Sequence, residues 1–142
     1  MSVSEAQQTI AKVWFFGSGV AIIALITQSL FGYWGDKVSD AWSWFLPTIL
    51  PTLTLIVSSV VADARKQRRS EMQIEQFPYM IALWLSVFYF ICVFISVLAG
   101  NFTKYAPLEL MKISGLWLGP LQGLLSALIA LFFVKQSSSS KR

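Results

Sequence analysis

Uncharged, mostly apolar positions fill four blocks of the chain: Val13 to Trp34, Trp42 to Ala62, Pro78 to Gly100 and Gly115 to Val134. Each is about 20 residues long, which is what a helix rising 1.5 Å per residue needs to cross a hydrocarbon layer about 30 Å thick. The pattern predicts an all-α integral membrane protein, one domain of four transmembrane helices. The link Gly35 to Ala41 is short enough to make the first two helices a tight antiparallel hairpin. Asp63 to Phe77 holds good helix formers and no Gly or Pro before Pro78, so the second helix is expected to continue beyond the membrane as a cytoplasmic extension. Residues 135–142, with serines from Ser137 to Ser140, read as a mobile tail. The first block is longer than a signal-peptide core and ends in Phe31, Gly32, Tyr33 and Trp34, so it is expected to be retained as a span.

Composition sharpens this picture: 56% of the 142 residues are apolar and 13% charged, against about 25% charged in soluble domains. There is no His, and the single Cys92 allows no intramolecular disulfide. No Asp, Glu, Lys or Arg falls inside any of the four blocks. Proton-coupled pumps and small multidrug-type antiporters need a membrane-embedded ionisable group, and intramembrane proteases need paired Asp, a Ser with a basic partner, or a metal. The expectation is a protein that is not an enzyme and uses no cofactor or metal.

Eight of the eleven Lys and Arg residues lie in the N-terminal segment, the middle loop and the C-terminal tail. Basic residues collect on the cytoplasmic side, so both termini are expected there, in a bacterial inner membrane. Tyr33, Trp34, Trp42 and Trp44 then bracket the first outer loop at headgroup level.

Four features carry candidate chemistry. Gly115, Gly119, Gly123 and Ala127 recur every fourth residue, a small-residue stripe that lets helix backbones approach closely, with Pro120 inside it and Gln122 and Ser126 beside it. The second helix carries Pro47 and Pro51 one turn apart, with Thr48, Thr52 and Ser59 on one face and Thr54 and Ser58 on another. Its freed carbonyls must be satisfied by hydroxyls, water or a neighbouring helix. Thr48, Thr52, Ser59, Gln122 and Ser126 are the pore-lining candidates, the alternative being hydroxyls that bond back to their own helix. Thr27, Gln28 and Ser29 form a polar patch near the outer end of the first helix. Arg65, Lys66, Arg68 and Arg69 place four cations within five positions, able to hold anionic headgroups or phosphates and, repeated round an axis, to receive a nucleotide or oligonucleotide, the alternative being a topology signal alone. The third helix is apolar all round and is expected to face lipid, with Cys92 an inert packing residue.

Four short helices enclose little space, so transport or conduction calls for a homo-oligomer, most simply a cyclic one, and a tetramer is the expected count. In size and architecture the whole chain resembles the compact four-span membrane effectors of bacterial anti-phage operons, the Hailong type among them. That resemblance is architectural and transfers no residue roles. It implies a pore or membrane-disrupting effector held in check, or triggered, by a nucleotide or oligonucleotide signal from a partner enzyme. The competing classes are a non-conducting membrane anchor for a partner complex and a small solute carrier, the latter disfavoured by the absence of buried charge at midplane.

Overall fold

A computed structural model describes residues 3–65 and 76–138. It is all-helical: α1 (Val3–Leu30), α2 (Val38–Arg65), α3 (Gln76–Leu98) and α4 (Pro107–Ser138), with short 3-10 turns at Gly35–Lys37 and Ala99–Asn101. Each of the four helices is long and apolar enough to span a membrane.

Helix ends follow local chemistry more closely than hydropathy. The first block was expected to be helical through Trp34, yet α1 stops at Leu30. Gly32 takes a left-handed φ of 71°, its N–H donates to the Ser29 carbonyl, and the Tyr33 N–H donates to the Gln28 carbonyl. This is a Schellman motif, and a residue with a Cβ would be strained at its centre. Gly35, at φ 53°, completes the reversal into α2. At the other extreme, α4 starts at Pro107 rather than near Gly115. Proline suits a first helical turn, and Glu109 complements the amide dipoles there, a polar start that an apolar block cannot reveal. Residues 135–138, expected in the tail, belong to α4. Pro47, Pro51 and Pro120 lie inside helices that continue past them.

α1 packs against α2 and α3, and α4 packs against the same two, so the order around the bundle is α1, α2, α4, α3. Trp14 meets Ser86 and Phe90 while Gln28 meets Val97, which makes α1 and α3 parallel neighbours. Pro47 meets Gln122 and Thr52 meets Ser126, which makes α2 and α4 parallel as well. Two antiparallel hairpins therefore dock side by side. The links 31–37 and 99–106 share one end, here the loop end; Val3, Arg65, Gln76 and Ser138 share the other.

The core repeats at helical spacing. Phe45, Ile49, Thr52 and Ile56 bury one face of α2, and Leu118, Leu125 and Ile129 one face of α4. Trp14, fully buried, stacks against Tyr89 at 5.8 Å and meets Phe90 edge-on at 4.9 Å. α3, apolar all round in sequence and expected to face lipid, has two faces in the structure. Ala82, Ser86, Tyr89, Phe90, Val93, Ser96 and Val97 are buried, while Trp84, Phe88, Ile91 and Ile95 point outward. Uniform hydropathy hid this division, because apolar side chains serve equally in the core and in lipid.

Candidate functional site

Pro51 has no N–H, so the helical hydrogen bond that would end on the Pro47 carbonyl cannot form. Gln122 of α4 supplies the missing donor: its Nε2 reaches the Pro47 oxygen at 3.1 Å. One turn further, the hydroxyls of Thr52 and Ser126 lie 2.7 Å apart. From the other side, the Tyr89 hydroxyl donates to the Thr48 carbonyl at 2.6 Å, tying α3 across the bundle to α2. At the same level Trp14 Nε1 donates to Ser86 Oγ at 3.1 Å, and Ser86 in turn donates to the Ala82 carbonyl. A polar layer thus crosses the middle of the bundle with a contribution from each helix.

The two polar faces of α2 have different fates. Thr48 and Thr52 are buried inside the protomer, Thr48 Oγ1 donating back to the Trp44 carbonyl at 2.7 Å. Ser59 is half-buried and donates to the Leu55 carbonyl. Ser126, half-buried, is engaged with Thr52. Ser43, Pro47, Pro51, Thr54 and Ser58 are exposed on the opposite side. Gln122 is the pore-lining candidate that stands at the border: half-buried, committed through its amide nitrogen, with an Oε1 that is not enclosed in the protein.

The small-residue stripe of α4 continues this outward surface. Gly119, Gly123 and Ala127 are exposed, and a Cβ at Gly119 or Gly123 would meet nothing within 4 Å. Gly115 is half-buried, with Trp44 Nε1 at 3.6 Å from its ideal Cβ position. Inside the protomer the stripe therefore is not what brings α4 to its neighbours. The close approach belongs to Gly17 of α1, where a Cβ would fall 2.8 Å from the Phe90 ring.

These polar and small positions alternate with exposed Leu46, Leu50, Val57, Leu116, Trp117 and Leu124, whereas the outer surface of α1 and α3 is more uniformly apolar. α1 exposes Phe15, Phe16 and Ile23, and α3 exposes Trp84, Phe88 and Ile91. Two shallow grooves there, one along α3 at Phe77, Met80 and Trp84 and one between α1 and α3 at Phe16, Val20 and Phe94, are lined by apolar side chains. Only 28% of the spanning window of α2 and 22% of that of α4 is buried, against 39% each for α1 and α3. The helices with the most uncovered surface are the ones carrying hydroxyls, prolines and glycines on it.

At the loop end, Gln28 Nε2 donates to the Val97 carbonyl at 3.2 Å and Trp42 Nε1 donates to Ser29 Oγ at 3.2 Å, so the patch read at Thr27, Gln28 and Ser29 fastens α1 to both neighbours. Thr27 Oγ1 bonds back to the Ile23 carbonyl. The Tyr33 hydroxyl is enclosed beside Gly100, and burial raises its pKa above the ordinary tyrosine value, so it stays protonated at physiological pH. At the opposite end Arg65 is the last residue of α2; Lys66, Arg68 and Arg69 lie outside the described residues. No cluster of His, Cys, Asp and Glu able to hold a metal occurs among the described residues. Cys92 is a half-buried free thiol.

Sequence reasoning missed Tyr89 and Ser86 as bonding groups, although a hydroxyl at mid-membrane depth always raises the question of its partner. Comparisons with protein-family models, with curated proteins and with solved structures gave no match.

Proposed function

We propose that the protein forms a homo-oligomeric membrane pore, with the α2/α4 face turned to the symmetry axis and α1 and α3 turned to lipid. The observation that carries this reading is the outward face of Ser43, Pro47, Pro51, Thr54, Ser58, Gly119, Gly123 and Ala127 with Gln122 at its border. Hydroxyls and freed carbonyls at hydrocarbon depth are costly against lipid and cheap against water or a second helix. On a closed cyclic assembly, with four protomers as the working count, the same face supplies both helix contacts and a hydrated path. In this packing Ser43, Thr54, Ser58 and Gln122 are the groups that meet the path, and Thr48, Thr52 and Ser126 stand behind them as the protomer's own fastening.

Both termini and the basic segment Arg65, Lys66, Arg68 and Arg69 are assigned to the cytoplasm of a bacterial inner membrane, following the distribution of basic residues. Repeated around the axis, that segment is a receptor for an anionic nucleotide or oligonucleotide. Such a ligand gates the pore only if it binds the closed and open packings unequally. The four-span effectors of anti-phage operons, the resemblance noted above, supply the biological setting: a pore under the control of a signal-producing partner enzyme. The second reading, a non-conducting anchor, uses the same open glycine stripe to dock a helix of a partner.

Planar-bilayer recording separates the two. Folded, inserted protein is expected to give discrete currents. Nucleotides or short oligonucleotides added on the face bearing Arg65 should change the open fraction, and reversing the charges of Arg65, Lys66, Arg68 and Arg69 should abolish that response. Silence under every condition, together with instability without a partner chain, would establish the anchor instead.

A further inference from the structure

The pore reading leaves open what passes, and the geometry of Gln122 bears on that. A side-chain amide offers a donor at one end and an acceptor at the other, and which end faces outward is ordinarily a matter of choice. Here it is fixed by chemistry. The Pro47 carbonyl can only accept, and Pro51 has removed the backbone N–H that would have occupied it. Gln122 must therefore turn its NH₂ group inward, as it does at 3.1 Å. What remains for the outside is Oε1, an acceptor to which no described residue donates. Pro47 acts in the same way on the turn before, removing the N–H that would otherwise engage the Ser43 carbonyl, and Ser43 is exposed.

We propose that the path on the α2/α4 face selects monovalent cations, with Gln122 Oε1 as the selecting atom; this rests on the pore reading. Around a symmetry axis the Oε1 atoms repeat as a ring of carbonyl-type oxygens, the kind of group that replaces a cation's hydration shell. Thr54 and Ser58 add hydroxyl oxygens along the same face. Residues 42–62 of α2 and 115–134 of α4 contribute no Lys or Arg to hold an anion and no Asp or Glu to strip water from a divalent ion; Asp40, Glu109 and Lys112 stand nearer the loop end. Opposing positive charge comes from exposed Lys112 near the start of α4, from Lys37 and Lys104 at the loop end, and from Arg65 at the end of α2, all outside residues 42–62 and 115–134.

The test is the reversal potential of the purified full chain in a planar bilayer under a tenfold KCl gradient. Wild type is expected to reverse toward the potassium equilibrium potential. Gln122→Lys keeps a donor for the Pro47 carbonyl but replaces the acceptor with a positive charge, and should lower the potassium-to-chloride permeability ratio at least tenfold. Pro51→Ala returns an N–H to the Pro47 carbonyl, frees the amide to rotate, and should lower the ratio severalfold without disturbing the fold. Chloride-selective currents in wild type would overturn the inference while leaving the pore intact, because the positive charge at the ends of the path would then govern. A ratio unchanged in both variants would remove Gln122 from the selecting role. Silence from folded, inserted protein would remove the pore reading and this inference together.

Discussion

Thr52 and Ser126 show what a single side chain contributes inside a bilayer-sized bundle. Their hydroxyls, 2.7 Å apart, join α2 and α4 side chain to side chain, beside the bond from Gln122 to the Pro47 carbonyl. Interhelical hydrogen bonds in membranes contribute about 0.6 kcal/mol on average, because the separated helices also find partners. A double-mutant cycle of Thr52→Val and Ser126→Ala, followed by reversible unfolding in mixed detergent, should therefore give a coupling of about 0.6 kcal/mol. A coupling indistinguishable from zero would mean that each hydroxyl is as well served by its own helix. The sequence made both hydroxyls conspicuous, yet it could not say which polar face of α2 turns inward. Phe45, Ile49 and Ile56 on the inner side are no more apolar than Leu46, Leu50 and Val57 on the outer side, so hydropathy is silent. The same limit hid the Pro47 carbonyl's partner, which lies on another helix and is found only once the two are packed.

Among the elements, the glycines divide into two kinds by what surrounds them. A Cβ at Gly17 would strike the Phe90 ring at 2.8 Å, whereas at Gly119 and Gly123 it would meet nothing within 4 Å. Overpacking a fitted contact costs about 1 to 3 kcal/mol. Gly17→Ala should thus lower the thermal stability of the protomer, and Phe90→Leu should recover part of the loss by making room. Gly123→Leu should leave the protomer's own unfolding unchanged and weaken self-association, measured by cross-linking in detergent of graded concentration. Loss of protomer stability from Gly123→Leu would show that the α4 stripe serves the single bundle after all. The stripe was plain from its four-residue spacing, and its location was not, since small residues permit close packing without stating against which surface. α3 taught the converse: a run rich in Phe, Tyr and Ile concealed a buried face that is set by Ser86, Tyr89 and Ser96.

For the molecule as a whole, four blocks of apolar residues were enough to announce four helices, because length and polarity are local properties of the chain. The order of helices around the bundle was not announced. Nothing in the blocks distinguishes a simple ring from the observed arrangement, in which parallel contacts join α1 to α3 and α2 to α4. That arrangement gives the two outer surfaces different admixtures: α1 and α3 expose chiefly aromatic and aliphatic side chains, whereas α2 and α4 expose hydroxyls, prolines and glycines among Leu46, Leu50, Val57, Leu116, Trp117 and Leu124.

The parallel docking of the two hairpins also has a consequence in time. A chain made at about 5 to 20 residues per second makes Pro47 and Thr52 roughly 4 to 15 s before their partners Gln122 and Ser126 are synthesised. During that interval the amino-terminal hairpin holds a proline-freed carbonyl and a hydroxyl whose eventual partners do not yet exist. It must wait beside water, lipid headgroups or the translocation channel, and settle only when the last helix emerges. A nascent product ending after Arg65 should accordingly be cleared by membrane proteases far faster than the full chain in a pulse-chase. Co-expression of the remaining residues as a separate polypeptide should restore its lifetime. Equal lifetimes for the severed and intact forms would mean that the first hairpin matures without the second.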